Sequence, residues 1–314
     1  METTSHRPKW RTLLAFATIY LVWGSTFLAI RVGVREVPPF LLAAMRFIAA
    51  GTVLYGWTIL RGEPSPSKRE WGAAFGLGVA IFVMDYGLVF WAEQRVASGI
   101  TAVMLATIPV FTALSEITIL RTRRLTVRLC LALAIGIGGV MVLLSNSLNL
   151  GGGAIDRKGA LAVIVAAISW SIASVVMRKL PLPKSKATSA GAQMLAGGLL
   201  LAVTAAGLGE FRHFQFAVVS RSAWLALAYL IVFGSVIAFT AYVWLIHHES
   251  PTKVGTYAYV NPVIAVLLGY FFAGEALGVR TILGTALVLV SVLVITVAPE
   301  RKVAAPSAAV EDAA

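Results

Sequence analysis

Charge and cysteine are what this chain has least of. Only 13% of its 314 residues are charged, and the single cysteine, Cys130, lies inside an apolar run. One cysteine excludes an intrachain disulfide and a cysteine-based metal site. Acidic side chains are scarce even among the charged ones, 14 against 26 Lys and Arg. No Gly-x-x-x-x-Gly-Lys-Ser/Thr sequence occurs, which removes a P-loop and with it that route to ATP. No Cys–His or clustered His–Asp set is present of the kind an intramembrane enzyme needs. His247-His248-Glu249 lacks a third ligand near it in sequence and reads as loop, so neither a metal nor a cofactor is expected. No clear A-x-A cleavage site follows the first apolar stretch, which therefore reads as a retained span.

What the chain has in excess is apolar surface, 59% of its residues. Runs of roughly 20 apolar residues match the ~30 Å hydrocarbon thickness of a bilayer, and backbone in lipid must be helical to satisfy its own hydrogen bonds. Ten spans are expected, near 12–31, 38–60, 71–91, 97–120, 126–145, 158–178, 188–209, 222–246, 252–273 and 279–297. The net charge of +12 does not point to nucleic acid, because the basic residues fall between spans. Counted over alternate loops, 17 Lys and Arg lie on one side and 8 on the other, with Arg46 inside a span. That bias places both termini in the cytoplasm.

The chain also repeats itself. Trp23 and Arg31 recur 147 residues later as Trp170 and Arg178; Trp91 and Pro109 recur 153 residues later as Trp244 and Pro262. The expected organisation is a cytoplasmic N-terminus (1–11), a first five-helix repeat (12–145), a linker (146–157), a second repeat (158–297) and a disordered cytoplasmic tail (298–314). An odd number of spans per repeat inverts the second copy relative to the first. Two inverted halves around a central cavity suit alternating access.

These residues resemble a known family. Trp23-Gly24-Ser25-Thr26-Phe27 in the first span, Pro38-Pro39 and Arg46-Phe47 in the second, and Ala258-Tyr259-Val260-Asn261-Pro262-Val263 followed by Gly274-Glu275 in the ninth look like the EamA-type members of the drug/metabolite transporter superfamily. The resemblance runs from about Leu13 to Val297. It implies a ten-helix inner-membrane carrier with substrate held centrally, and members commonly export amino acids, other metabolites or toxic compounds. One position departs: Thr122 stands where the first half would carry the counterpart of Glu275. Glu275 is therefore read as structural, a cap on the next helix, and not as a coupling group.

Polar groups at membrane depth are costly and each needs a reason. Asp85 has two readings in balance, a proton or substrate-amine site, or a carboxylate satisfied by a neighbouring helix. Arg46 could hold a substrate carboxylate or pair with Asp85 or Glu116. Its repeat counterpart Gln193 is also polar, which favours a structural role for both. Glu116, near the Arg121–Arg124 cluster, reads as a helix-end or salt-bridge residue. Trp23 and Trp170 are too deep for interface anchors and favour cavity lining over duplicated packing. Pro109 and Pro262 should kink their helices and free carbonyls. Asn261, with Tyr257 one turn before it and Met104 at the position aligned to Tyr257, completes the expected substrate surface. Gly72 and Gly76 form a G-x-x-x-G that would permit close helix contact. The expected partners are a small-molecule substrate, the lipid bilayer and candidate protons; no nucleic acid is expected. The expected function is a secondary exporter. Rivals are an importer or exchanger of a polar metabolite, and a non-transporting membrane scaffold or sensor.

Overall fold

A computed structural model of the chain describes residues 9–120, 126–144, 156–177, 179–212, 214–248, 254, 257–275 and 277–297. It is all helical over those residues. Ten principal helices follow one another: α1 (Lys9–Gly33), α2 (Pro39–Leu60), α3 (Lys68–Glu93), α4 (Ser98–Ile119), α5 (Val127–Leu144), α6 (Arg157–Met177), α7 (Lys186–Gly207), α8 (from Arg221 to His248), α9 (Tyr257–Ala273) and α10 (Val279–Val297). Seven are long and apolar enough to cross a membrane; α5, α9 and α10 contribute shorter apolar stretches. The outer surface is apolar too, with Leu60, Val127, Phe272 and Val279 among the most exposed side chains. An apolar exterior of this extent suits lipid and not water.

Helix starts follow their local chemistry. Pro39 opens α2, where its missing N–H costs nothing. Ser67 and Glu70 form a reciprocal capping box at α3. Ser185 and Ser220 accept backbone N–H groups at the starts of α7 and α8. α1 begins at Lys9, within the stretch expected to be an N-terminal extension. Residues 146–155 of the expected linker, the Arg121–Arg124 cluster and the tail from 298 lie outside the described residues.

Packing follows the repeat. The largest helix contact joins α2 to α7, and the next joins α5 to α10. Helix α1 lies against α8 and α9; correspondingly α6 lies against α3 and α4. Helix α2 touches the middle of α8, and α7 the middle of α3. Exchanging each helix with the one five places on leaves this pattern unchanged. Repeat-equivalent glycines permit the central crossing: a Cβ on Gly51 would meet Leu195 N at 2.7 Å, and one on Gly198 would meet Ile48 N at 2.7 Å. Gly72 and Gly76 do not serve this way, since a Cβ on either meets nothing within 4 Å.

The ends of the crossing pairs are clasped by glutamates. α2 and α7 each lead into a left-handed glycine, Gly62 (φ 73°) and Gly209 (φ 74°), followed by Glu63 and Glu210. Glu63 accepts from Thr188 Oγ1 (2.5 Å) at the start of α7, and Glu210 from Leu41 N (2.8 Å) at the start of α2. The two helices are thereby antiparallel, each end tied to the other's N-terminal dipole. Gly274 (φ 66°) and Glu275 repeat the device after α9, where the carboxylate accepts from Ser98 N (2.8 Å), Ser98 Oγ (2.6 Å) and Gly99 N (3.1 Å). Glu275 is thus a helix cap, on α4 of the first half and not on the next helix in sequence. Glu36, after α1, similarly accepts from Ser220 N and Oγ at α8.

Candidate functional site

A central cavity lies where α1, α2, α3, α4, α6 and α9 converge. It contains about 690 Å³ of atom-free space, counting its open mouth.

Its walls are mostly apolar, and the largest side chains in them are aromatic. Trp23 from α1 and Trp170 from α6 both line it, each 7% exposed. Tyr257 meets the Trp23 ring edge-on at 5.3 Å, and Tyr86 meets Trp170 edge-on at 5.9 Å. Tyr242 lies behind them, 5.0 Å from Trp23 and 6.3 Å from Trp170. Edge-to-face pairs hold large rings in fixed positions, so the wall is pre-shaped. Trp23 is fixed further by its Nε1, which donates to Gly234 O at 3.2 Å.

One cation and one carboxylate are set into this wall. Arg46 is 1% exposed, its Nε donating to Ser235 Oγ at 2.8 Å. Its guanidinium lies 4.6 Å from the Phe47 ring centroid and 5.2 Å from that of Tyr86, cation–π contacts that partly replace lost hydration. Nη1 has no hydrogen-bond partner. Asp85 comes from α3, whose middle (Gly78–Gly87) widens into a π-helix. The matching stretch of α8, Leu230–Ile237, is π-helical as well. π-helical turns loosen backbone bonding, and the other half uses the exposed carbonyls: Ser169 Oγ donates to Ala80 O in α3, as Trp23 does to Gly234 O in α8.

The two prolines sit differently in their helices. α4 breaks at the turn Ala106–Thr107, and Pro109 stands in the first turn of the helix that resumes, so it starts a helix piece and does not bend a continuous one. Ser171 Oγ on α6 donates to Ile108 O beside it. Pro262 is inside α9 and faces the cavity. Asn261, with its amide oriented to satisfy its surroundings, donates to Tyr257 O (3.3 Å) and Tyr20 O (3.1 Å), tying α9 to α1.

The structure therefore brings Trp23, Asp85, Trp170, Tyr257, Asn261 and Pro262 to one place, and adds Arg46, for which a structural role was favoured over substrate contact. Met104 is not there: it is fully buried among Val103, Ala106 and Val163. The α4 break turns Ala102, Leu105 and Ala106 to the cavity and Met104 away from it. Gln193 lies outside the lining, its Nε2 on Ser189 Oγ at 3.0 Å. Glu116 also lies outside it, at the start of the last turn of α4. Among the lining groups that were not expected are Thr26 and Phe27, in the motif that carries Trp23, and Tyr86, beside Asp85. Adjacency to a named residue was the available signal for all three. Among the described residues no group of three His, Cys, Asp or Glu is placed to hold a metal.

Comparison with known proteins agrees with this architecture. The EamA-like transporter family model matches twice, over residues 10–145 and 157–297. A protein of Escherichia coli strain K12, "Uncharacterized inner membrane transporter YedA", is 38% identical over 298 residues, covering 93% of this chain and 94% of its own. The "Uncharacterized transporter YoaV" of Bacillus subtilis strain 168 is 24% identical over 301 residues, covering 93% and 99%. A solved crystal structure shares the fold with TM-score 0.61 at 23% identity, covering 92% of this chain and 96% of that one. With two family matches spanning nearly its whole length and a long relative well above 30% identity, the chain belongs to the EamA-like transporter family: it is an integral inner-membrane transporter of small molecules, built as two halves, and not an enzyme.

Proposed function

We propose that this chain is a secondary exporter of small amphipathic organic solutes, such as amino acids, related metabolites or drug-like compounds, working by alternating access. The observation that carries the reading is the meeting of Trp23 and Trp170, equivalent residues of the two halves, on one cavity that also holds Arg46 and Asp85. Aromatic walls suit an apolar body, and the two charged groups suit a polar end. Asp85 is the candidate site for a substrate amine or a proton; Tyr257, Asn261 and Pro262 complete the wall.

The halves are inverted across the membrane plane, with repeats at 12–145 and 158–297 and both termini in the cytoplasm. The antiparallel clasp of α2 and α7 supports that arrangement, since equivalent helices point opposite ways. Energy comes from a proton gradient or from downhill flow of the solute.

Counterflow into liposomes against a panel of metabolites tests the reading. Trp170→Ala should change the order of preference among solutes, and Asp85→Asn should remove preference for amine-bearing ones. A panel unaltered by both substitutions, or no flux at all, would refute it. Everted against right-side-out vesicles decide direction, and uptake only into right-side-out vesicles would establish an importer instead.

A further inference from the structure

Glu93 is a buried carboxylate that the cavity does not use. It ends α3, two turns beyond Asp85 and one beyond the cavity-lining Val89. It is fully buried, and both side-chain oxygens lack a hydrogen-bond partner. The nearest cation cannot compensate it by direct bonding. Arg31 on α1 directs its Nη1 to two backbone carbonyls, Glu93 O (2.5 Å) and Val96 O (2.7 Å), and its Nε is unpartnered. Thr101 on α4 lies beside Glu93, with its hydroxyl also unpartnered.

The other charged neighbour is Glu275 in the α9–α10 turn, the clasp on the start of α4. Around this cluster, Arg46 lies one turn deeper, 5.9 Å from the Phe90 ring, and Arg95 and Asp156 flank Gly159 at the start of α6. Two ionised carboxylates in one dry site repel, and an ionised carboxylate without hydrogen bonds is costly to bury. Glu275 accepts from three donors, whereas the side-chain oxygens of Glu93 accept from none. The proton of the closed arrangement therefore belongs on Glu93.

We propose that Glu93 is a proton-binding site that governs closure of this end of the cavity through the Glu275–α4 clasp. When water takes the proton, Glu93 becomes an anion that needs hydration and repels Glu275. The start of α4 then parts from the α9–α10 turn. Because α4 carries Ala102, Leu105 and Ala106 on the cavity wall, that parting opens the chamber. The sequence makes the device one-sided: the equivalent of Glu275 in the first half is Thr122, which cannot accept as a carboxylate does. The inference rests on the alternating-access reading, and its test needs no substrate.

The test uses Leu105→Cys on a Cys130→Ser background in proteoliposomes, labelled with a membrane-impermeant maleimide across a pH series. Each rate is divided by the rate for the same protein carrying Glu93→Gln, which removes the thiol's own titration. The ratio should rise with pH and reach its lowest value in acid. Glu275→Gln should give fast labelling with no dependence on Glu93. A ratio independent of pH overturns the proposal, as does a Glu275→Gln protein that labels no faster than its parent. The labelling readout uses no solute, so a failed solute panel and a failed gate are told apart. Should Glu93→Gln not assemble, Glu93→Asp serves as the divisor, with a shifted midpoint expected and an unshifted one overturning the proposal.

Discussion

Glu63 and Glu210 lie 147 residues apart in sequence and tie opposite ends of one helix pair, Glu63 to Thr188 at the start of α7 and Glu210 to Leu41 at the start of α2. Each follows a glycine in the left-handed region. The pair α2–α7 is thus held at both ends, while α4–α9 shows its clasp at the Glu275 end. A rigid central pair beside a releasable one is what a rocking motion needs.

The two clasps should respond to acid in opposite ways. Hydrogen bonds from Ser185 and Thr188 hold the Glu63 carboxyl below its ordinary value. A lowered folded-state value means that its contribution is full above the unfolded value of ~4.3 and is lost as pH falls through the folded one. Burial pushes Glu210 up, against the backbone N–H groups of Leu41 and Phe40. A raised carboxyl binds its proton more tightly in the folded chain, so its contribution is full in acid and is lost as pH rises through the folded value. In thermal melts, the advantage of the parent over Glu63→Gln should shrink on acidification. Its advantage over Glu210→Gln should grow.

Ser235→Ala leaves the buried Arg46 Nε without its acceptor. The expected loss is about 1–3 kcal/mol, the cost of stranding a buried donor. Thermal unfolding in detergent measures it. In a double-mutant cycle with Arg46→Met the two losses should not add, because Ser235 then has no donor to satisfy. Additive losses would show that Ser235 stabilises through something other than Arg46.

Gly51→Ala and Gly198→Ala should each destabilise by about 1–3 kcal/mol, because each new methyl meets the backbone of the opposing helix. Gly72→Ala and Gly76→Ala should be neutral or mildly stabilising, since their methyls enter open space. Melting temperatures of the four proteins make the comparison. Equal effects at all four positions would contradict the crossing described for α2 and α7.

Trp23→Phe keeps a ring against Tyr242 and Tyr257 but loses the N–H donor to Gly234 O. It should cost about 0.5–1.5 kcal/mol. Trp23→Ala should cost more and also change the solute panel in counterflow. A Phe variant as stable as the parent would place the value of this residue in its ring alone.

Much of the architecture was legible because its causes are local. Span length follows from bilayer thickness, and helix ends follow from Pro39, Ser67, Ser185 and Ser220, so the ten expected spans differ from the observed helices by a few residues. The repeat aligns Trp23 with Trp170, and it aligns Gly62-Glu63 with Gly209-Glu210 in the same register. Facing was not legible. Met104 and Tyr257 align in the repeat, yet the α4 break turns one into packing and leaves the other on the cavity. Arg46 and Gln193 align too, yet only Arg46 reaches the hollow. Glu93 looks like the polar end of a span until α1, α4 and the α9–α10 turn close over it.

Hydropathy and internal repetition, both properties of residues near one another along the chain, determined by themselves that this is a duplicated helical membrane protein and which two tryptophans correspond. Which side chains line the chamber, which carboxylates bind helix ends and which one is sealed without a partner were decided only when helices from the two halves packed together. Burial of a polar group depends on what lies opposite it, and here that neighbour is often more than a hundred residues away.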